Sequence, residues 1–137
     1  VKVEIKKVSS FDLRSLIGYD APPEVLAAHV ACITDSTVIW LGLADGVPAC
    51  AFGLIPVGNI FTDRAYLWLI WTRMCEQHPL RLIRWGRRAM AEMRKEYPRI
   101  VGLCKCDNPS SQAWLKWLGA EFDFTSKHNE CFKFRIG

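Results

Sequence analysis

Thiols, imidazoles and guanidinium groups are the side chains of this 137-residue chain whose chemistry could go beyond packing. Their spacing decides what each can do. The six cysteines are Cys32, Cys50, Cys75, Cys104, Cys106 and Cys131; they include no Cys-x-x-Cys, and His29, His78 and His128 fall into no zinc-ligand spacing, so no metal site is expected. Cys104 and Cys106 would share one face of a strand, which suits packing and would strain a bond between them. Reduced, mostly buried thiols are expected, and they imply a reducing compartment. Cys75 is a conceivable nucleophile, but no His-Asp or His-Asn set can be assigned to it, which favours an inert thiol. Between Arg73 and Arg99 there are eight Lys/Arg against three Glu, a local excess larger than the +4 of the whole chain. Such a segment suits nucleic acid, an anionic cofactor or an acidic partner, and equally a solvated helix face.

The elements that must position these groups fit one core. Half of the residues are hydrophobic and 16 are aromatic (Trp 6, Tyr 3, Phe 7), which is enough apolar surface to offset the ordering entropy and exclude disorder. Length points to a single domain over residues 1–137. No apolar run reaches the ~18–20 residues of a membrane span, and the charge alternation from Val1 to Lys6 is unlike a signal peptide, so a soluble, unexported protein is expected.

Along the chain, Val1–Val8 alternates as a half-buried strand, and Ser9 and Ser10 cap a short helical turn at Phe11–Ile17. Pro22 and Pro23 open a helix over Glu24–Ile33, with Val25, Ala28 and Cys32 on one stripe, and Asp35 and Ser36 stop it. Thr37–Leu43 and Val47–Ile55 flank Asp45-Gly46, the strongest hairpin signal here. Ala65–Trp71 reads as a strand buried on both faces. After a polar junction comes a long helix over His78–Glu96, with Leu82, Gly86, Ala89, Met90, Met93 and Tyr97 on one stripe, stopped by Pro98. Ile100–Cys106 is a strand, Asp107–Ser111 a turn, and Gln112–Leu118 a helix closed by Gly119. Ala120–Thr125 and Glu130–Ile136 form a terminal hairpin about Ser126–Asn129.

This order, together with the stretch from Cys106 to Phe122, resembles the GNAT superfamily of acyl-CoA-dependent N-acetyltransferases. In that family an Asn after the fifth strand leads into an aromatic-rich helix ending in Leu-Gly-Phe; Asn108, Leu118 and Gly119 match, and Ala120 replaces the Phe. Within it, Glu96-Tyr97, Asn108, Leu115-Lys116, Gly119-Ala120 and Phe122 are similar to the short GNAT-like internal virion protein of short-tailed phages. The resemblance implies an α/β (α+β) fold: a mixed, mostly antiparallel sheet of about six to seven strands flanked by about four helices.

It also implies that Tyr66–Trp71 and Val101–Cys106 run parallel and diverge near Trp71 and Cys106, opening backbone groups to the pantetheine of acetyl-CoA. The cofactor contacts implied are Trp71, Thr72, Arg73, Arg81, Arg84 and Asn108, with the pyrophosphate at a helix N-terminus. The family's Gly-rich phosphate turn is missing: Gln77–Leu82 has no glycine, and Pro79 lacks an N–H. Arg81 and Arg84 could replace the lost contacts by charge. The position of the family's proton-donating Tyr is Leu115, and the candidates for a base are Glu76, His78 and Asp63.

Three functions remain open at this point. The first is an acyl-CoA-dependent N-acetyltransferase acting on an unidentified amine in the host cytoplasm. The second is an inactive virion or ejection protein of the same fold whose partners are other virion proteins, and it explains both motif losses together. The third is a nucleic-acid-binding or DNA-modifying protein that uses the basic segment beside Trp71 and Trp85.

Overall fold

The computed structural model describes residues 2–59, 61–72, 79–107, 109–128 and 130–137, and of residues 79–84, 110, 126 and 128 the backbone alone. Seven strands form one sheet: β1 (Val3–Val8), β2 (Val38–Ala44), β3 (Val47–Pro56), β4 (Arg64–Trp71), β5 (Arg99–Lys105), β6 (Glu121–His128) and β7 (Cys131–Ile136). Their order is β1-β2-β3-β4-β5-β7-β6. Among the described residues three helices accompany them, α1 (Pro23–Asp35), α2 (Pro79–Glu96) and α3 (Pro109–Trp117), and a 3-10 turn at Leu13–Ser15 stands where the short helical turn was expected. The β4–β5 pair is parallel, and the β1–β2, β2–β3, β5–β7 and β6–β7 pairs are antiparallel. This is the mixed, mostly antiparallel sheet anticipated. By backbone contacts the chain forms two compact units, Val1–Ile55 with Trp68–Trp85, and Pro56–Leu67 with Gly86–Gly137.

In the first unit the β2–β3 hairpin turns on Asp45 (φ 48°) and Gly46 (φ 80°), the pair of positive φ angles that matches the twist of the flanking strands. Trp40 and Phe52 are direct partners across it and stack at 5.5 Å. Ile39 and Leu54 are among the most deeply buried side chains. Gly53 lies flat under the Trp68 indole, where an added Cβ would come within 2.6 Å of the ring. The same edge of that indole is held by a hydrogen bond: its Nε1–H donates to Ser36 Oγ at 2.6 Å, and the Ser36 hydroxyl donates to the Cys32 carbonyl at 2.6 Å.

Two expectations fail in this unit. The stripe of α1 that is partly covered is His29, Cys32 and Ile33, whereas Val25 and Ala28 are exposed. Helical spacing alone admits either stripe, because α1 is apolar nearly all round. Second, β4 is not buried on both faces. Trp68 and Ile70 are buried, while Leu69 and Trp71 remain 40% and 37% exposed, so the strand alternates toward its C-terminal end.

In the second unit Ala89, Met90 and Met93 of α2 are buried as the stripe required. Gly86 lets α2 approach the Trp114 indole of α3, whose ring atoms would stand 2.8 Å from a Cβ there. Ile100, Cys104, Phe134 and Ile136 supply the buried sheet residues. The α3 helix starts at Pro109, three residues before the expected start, because a proline at the first helical position loses no hydrogen bond. It ends in a Schellman motif: Gly119 takes φ 102°, Ala120 N–H donates to Leu115 O at 2.9 Å, and Gly119 N–H donates to Lys116 O at 3.0 Å. Strand β6 runs on to His128 through an irregularity between Asp123 and Lys127, past the turn expected at Ser126–Asn129.

Candidate functional site

Parallel strands expose functional backbone only where their ladder breaks. The β4–β5 register comprises Arg64↔Arg99, Ala65↔Ile100 and Tyr66↔Val101, and it stops there although β4 continues to Trp71 and β5 to Lys105. The paired register therefore ends five residues before the points near Trp71 and Cys106 where divergence was expected. Strand β5 meanwhile keeps its full antiparallel register with β7, from Ile100↔Ile136 to Lys105↔Cys131. Gly102 marks the parting: a Cβ there would meet the Phe134 ring at 2.5 Å and the Leu67 carbonyl oxygen at 3.2 Å, so a larger residue would disturb both neighbours.

The residues expected to serve a cofactor are placed unequally. Trp71 is partly exposed at the end of β4. Thr72 is buried, and its hydroxyl donates to the Ala49 carbonyl, so its side chain anchors the strand end. Arg81 and Arg84 lie in the first two turns of α2. Arg73, Glu76, His78 and Asn108, and with them Cys75, lie outside the described residues. Asp63 precedes β4, at the opposite end of the strand from the divergence; its carboxylate pairs with Arg99 at 3.4 Å, and its carbonyl accepts the Arg99 N–H at 3.1 Å. Asp63 is therefore a strand-end clamp and is badly placed for a base. Leu115, at the position of the family's Tyr, is only 7% exposed and packs in the core.

Gln112 was not singled out by sequence. Its side-chain amide donates to the carbonyls of Lys105 and Cys106, both at 3.1 Å, and so ties α3 to the end of β5. The signal available was an amide three residues into a helix that follows a strand closely.

A second feature also escaped the sequence reading. The second unit carries an open groove of about 700 Å³ lined by Tyr66, Val101 and Leu103 and by the charged residues Glu121, Asp123, Lys133 and Arg135. Arg135 joins Glu121 across the strands at 2.9 Å. Period-two alternation places these residues together, but only the β5–β7–β6 order makes them neighbours.

Among the described residues Cys32, Cys50, Cys104, Cys106 and Cys131 are free thiols, and no group of His, Cys, Asp or Glu is arranged to hold a metal. Burial, with the nearby Cys131 and Cys106 thiols, pushes the Cys104 thiol up to about 11. Tyr19 and His29 share a 2.7 Å hydrogen bond through His29 Nδ1, and burial holds the imidazole below its ordinary value. No described helix is long and apolar enough to cross a membrane.

No family model and no curated protein matches the chain. Solved structures do. It is similar to an acetyltransferase from Streptococcus agalactiae (17% identity, 98% of this chain and 97% of the other, TM-score 0.71). A Bacillus subtilis acetyltransferase in complex with CoA (10% identity, 98% of each chain, TM-score 0.70) has a similar structure. So does a chimera of Vibrio cholerae spermidine N-acetyltransferase SpeG and hSSAT (12% identity, 99% of this chain and 95% of the other, TM-score 0.65). At these identities the likeness establishes the fold, and the chain has the fold of the GNAT acetyltransferases.

Proposed function

We propose that this chain is one GNAT-like domain over residues 1–137 that binds acetyl-CoA and transfers its acyl group to an amine. The observation that carries the reading is the parallel β4–β5 ladder that stops after three residue pairs, because it leaves β4 backbone beyond Tyr66 outside that ladder, where pantetheine amides can pair with it. Trp71 contributes apolar surface at the strand end. Arg81 and Arg84 are the phosphate contacts in this reading: without a glycine turn and with Pro79 lacking a donor, charge takes over from backbone amides. The chemistry that acetyl-CoA supplies is an activated thioester. The chain's part is to hold it, orient the amine and accept the ammonium proton, with Glu76 and His78 as candidate bases.

A second reading is favoured by the burial of Leu115 where the family places a proton-donating Tyr. In it the chain keeps the fold as a non-catalytic virion protein of the phage type, with other virion proteins as partners; an active enzyme of that type would work in the host cytoplasm. Calorimetric titration with acetyl-CoA separates the two. Saturable binding that is lost in the Arg81→Ala, Arg84→Ala variant supports the acyltransferase reading. Absence of binding at millimolar ligand supports the virion reading.

A further inference from the structure

The β6–β7 hairpin carries four phenylalanines in a row that climbs from core to surface. Phe134 is buried, its cross-strand partner Phe122 is half-buried at 5.8 Å, Phe124 stacks on Phe122 at 5.6 Å, and Phe132 meets Phe124 edge-on at 5.0 Å. The row ends in the open: Phe124 is 49% exposed, and Trp117, at the end of α3, is 41% exposed. Burial of a core does not require either.

Cations lie on these rings. The Arg87 guanidinium stands 3.9 Å from the Trp117 ring, Lys116 Nζ 5.2 Å from Phe124, and Lys127 Nζ 6.0 Å from Phe132. The carboxylates of the same strand go elsewhere. Glu121 and Asp123 alternate with Phe122 and Phe124 and so lie on the other face, where Glu121 pairs with Arg135. The exposed rings are thus accompanied by positive charge, and the nearest acids of β6 are turned away from them.

We infer that this aromatic and cationic strip, formed by Trp117, Phe124 and Phe132 with Arg87, Lys116 and Lys127, binds single-stranded nucleic acid. A carboxylate-rich peptide would use the cations and gain nothing from ring faces, whose quadrupole is negative. A nucleotide uses both, since each base offers a π-face for stacking and each phosphate a charge for Lys or Arg. Stacking and phosphate contacts are sequence-tolerant, because every base has a π-face and every nucleotide a phosphate, so binding independent of sequence is expected.

The test is fluorescence anisotropy of a labelled oligothymidylate against the full chain, with polyglutamate and anionic phospholipid vesicles as competitors. Each of Phe124→Ala and Trp117→Ala is expected to weaken binding between about fivefold and a hundredfold, as the loss of one stacked base requires. Phe124→Leu, which keeps the bulk and loses the ring, is expected to be as weak as Phe124→Ala, and Phe124→Trp to bind like the wild type. Lys116→Glu is expected to flatten the dependence of log affinity on log salt by about 0.7 or more. Thermal melting of each variant identifies any loss of fold. Three results overturn the inference: no oligothymidylate binding at low salt, wild-type affinity in the folded Phe124→Leu protein, or displacement by polyglutamate or vesicles as effective as by unlabelled oligonucleotide.

Discussion

Gly53 shows how one missing side chain sets the first unit's packing. The Trp68 ring occupies the space a Cβ would need, and the hydrogen bond to Ser36 keeps the ring from moving aside. Gly53→Ala is expected to cost about 1–3 kcal/mol, the usual penalty of overpacking, read as a lower midpoint in denaturant unfolding. Titration gives two further expectations. Cys104 is raised in the folded chain, so its protonated form contributes stability below its ordinary value of 9.0, and that contribution is lost as pH climbs toward about 11. A Cys104→Ser protein should lack this alkaline loss in a stability–pH profile. His29 works with the opposite sign: its value is depressed by burial, so its contribution is present above 6.5 and disappears as pH falls through the folded value. A protonated imidazole also leaves Nδ1 only a donor role in its hydrogen bond with the Tyr19 hydroxyl. His29→Gln should show a smaller drop in stability on the acid side.

At the scale of elements, the strongest local signals were the most legible. Asp45-Gly46 placed the hairpin, Pro98 and the Met90–Met93 stripe placed α2, and Gly119 placed the end of α3. Gly119→Ala is expected to destabilise by about 1–2 kcal/mol through backbone strain alone, since φ is 102° and no atom crowds the site; chemical denaturation reads it. Illegible features were those that depend on neighbours distant in sequence. An apolar run such as Ala65–Trp71 says that a strand is central; what lies over each end of it decides which side chains stay open. The apolar residues of α1 likewise left its covered stripe undetermined. The groove at Tyr66, Glu121 and Asp123 needed β7 to lie between β5 and β6, an order that no local pattern contains.

Over the whole molecule, element order carried the fold even though no family model recognises the sequence. The candidate site was less legible. Its backbone part, the interrupted β4–β5 ladder, follows from topology, whereas its side-chain part was read from a motif that the chain matches incompletely. Leu115 illustrates the difference: the motif marks the position, and burial explains what stands there instead. If Arg81 and Arg84 replace a glycine turn, each supplies a charge-assisted contact of about 1.5–3 kcal/mol when desolvated. Removing both should weaken acetyl-CoA by a factor on the order of a hundred or more, and by less at high salt. The measurement that bears most directly on acyl-CoA binding is isothermal titration of the full chain with acetyl-CoA, in the wild type and in the Arg81→Ala, Arg84→Ala double variant. Saturable one-to-one binding by the wild type, lost or strongly weakened in the variant, is the expected result; absence of heat from the wild type at millimolar ligand would contradict it.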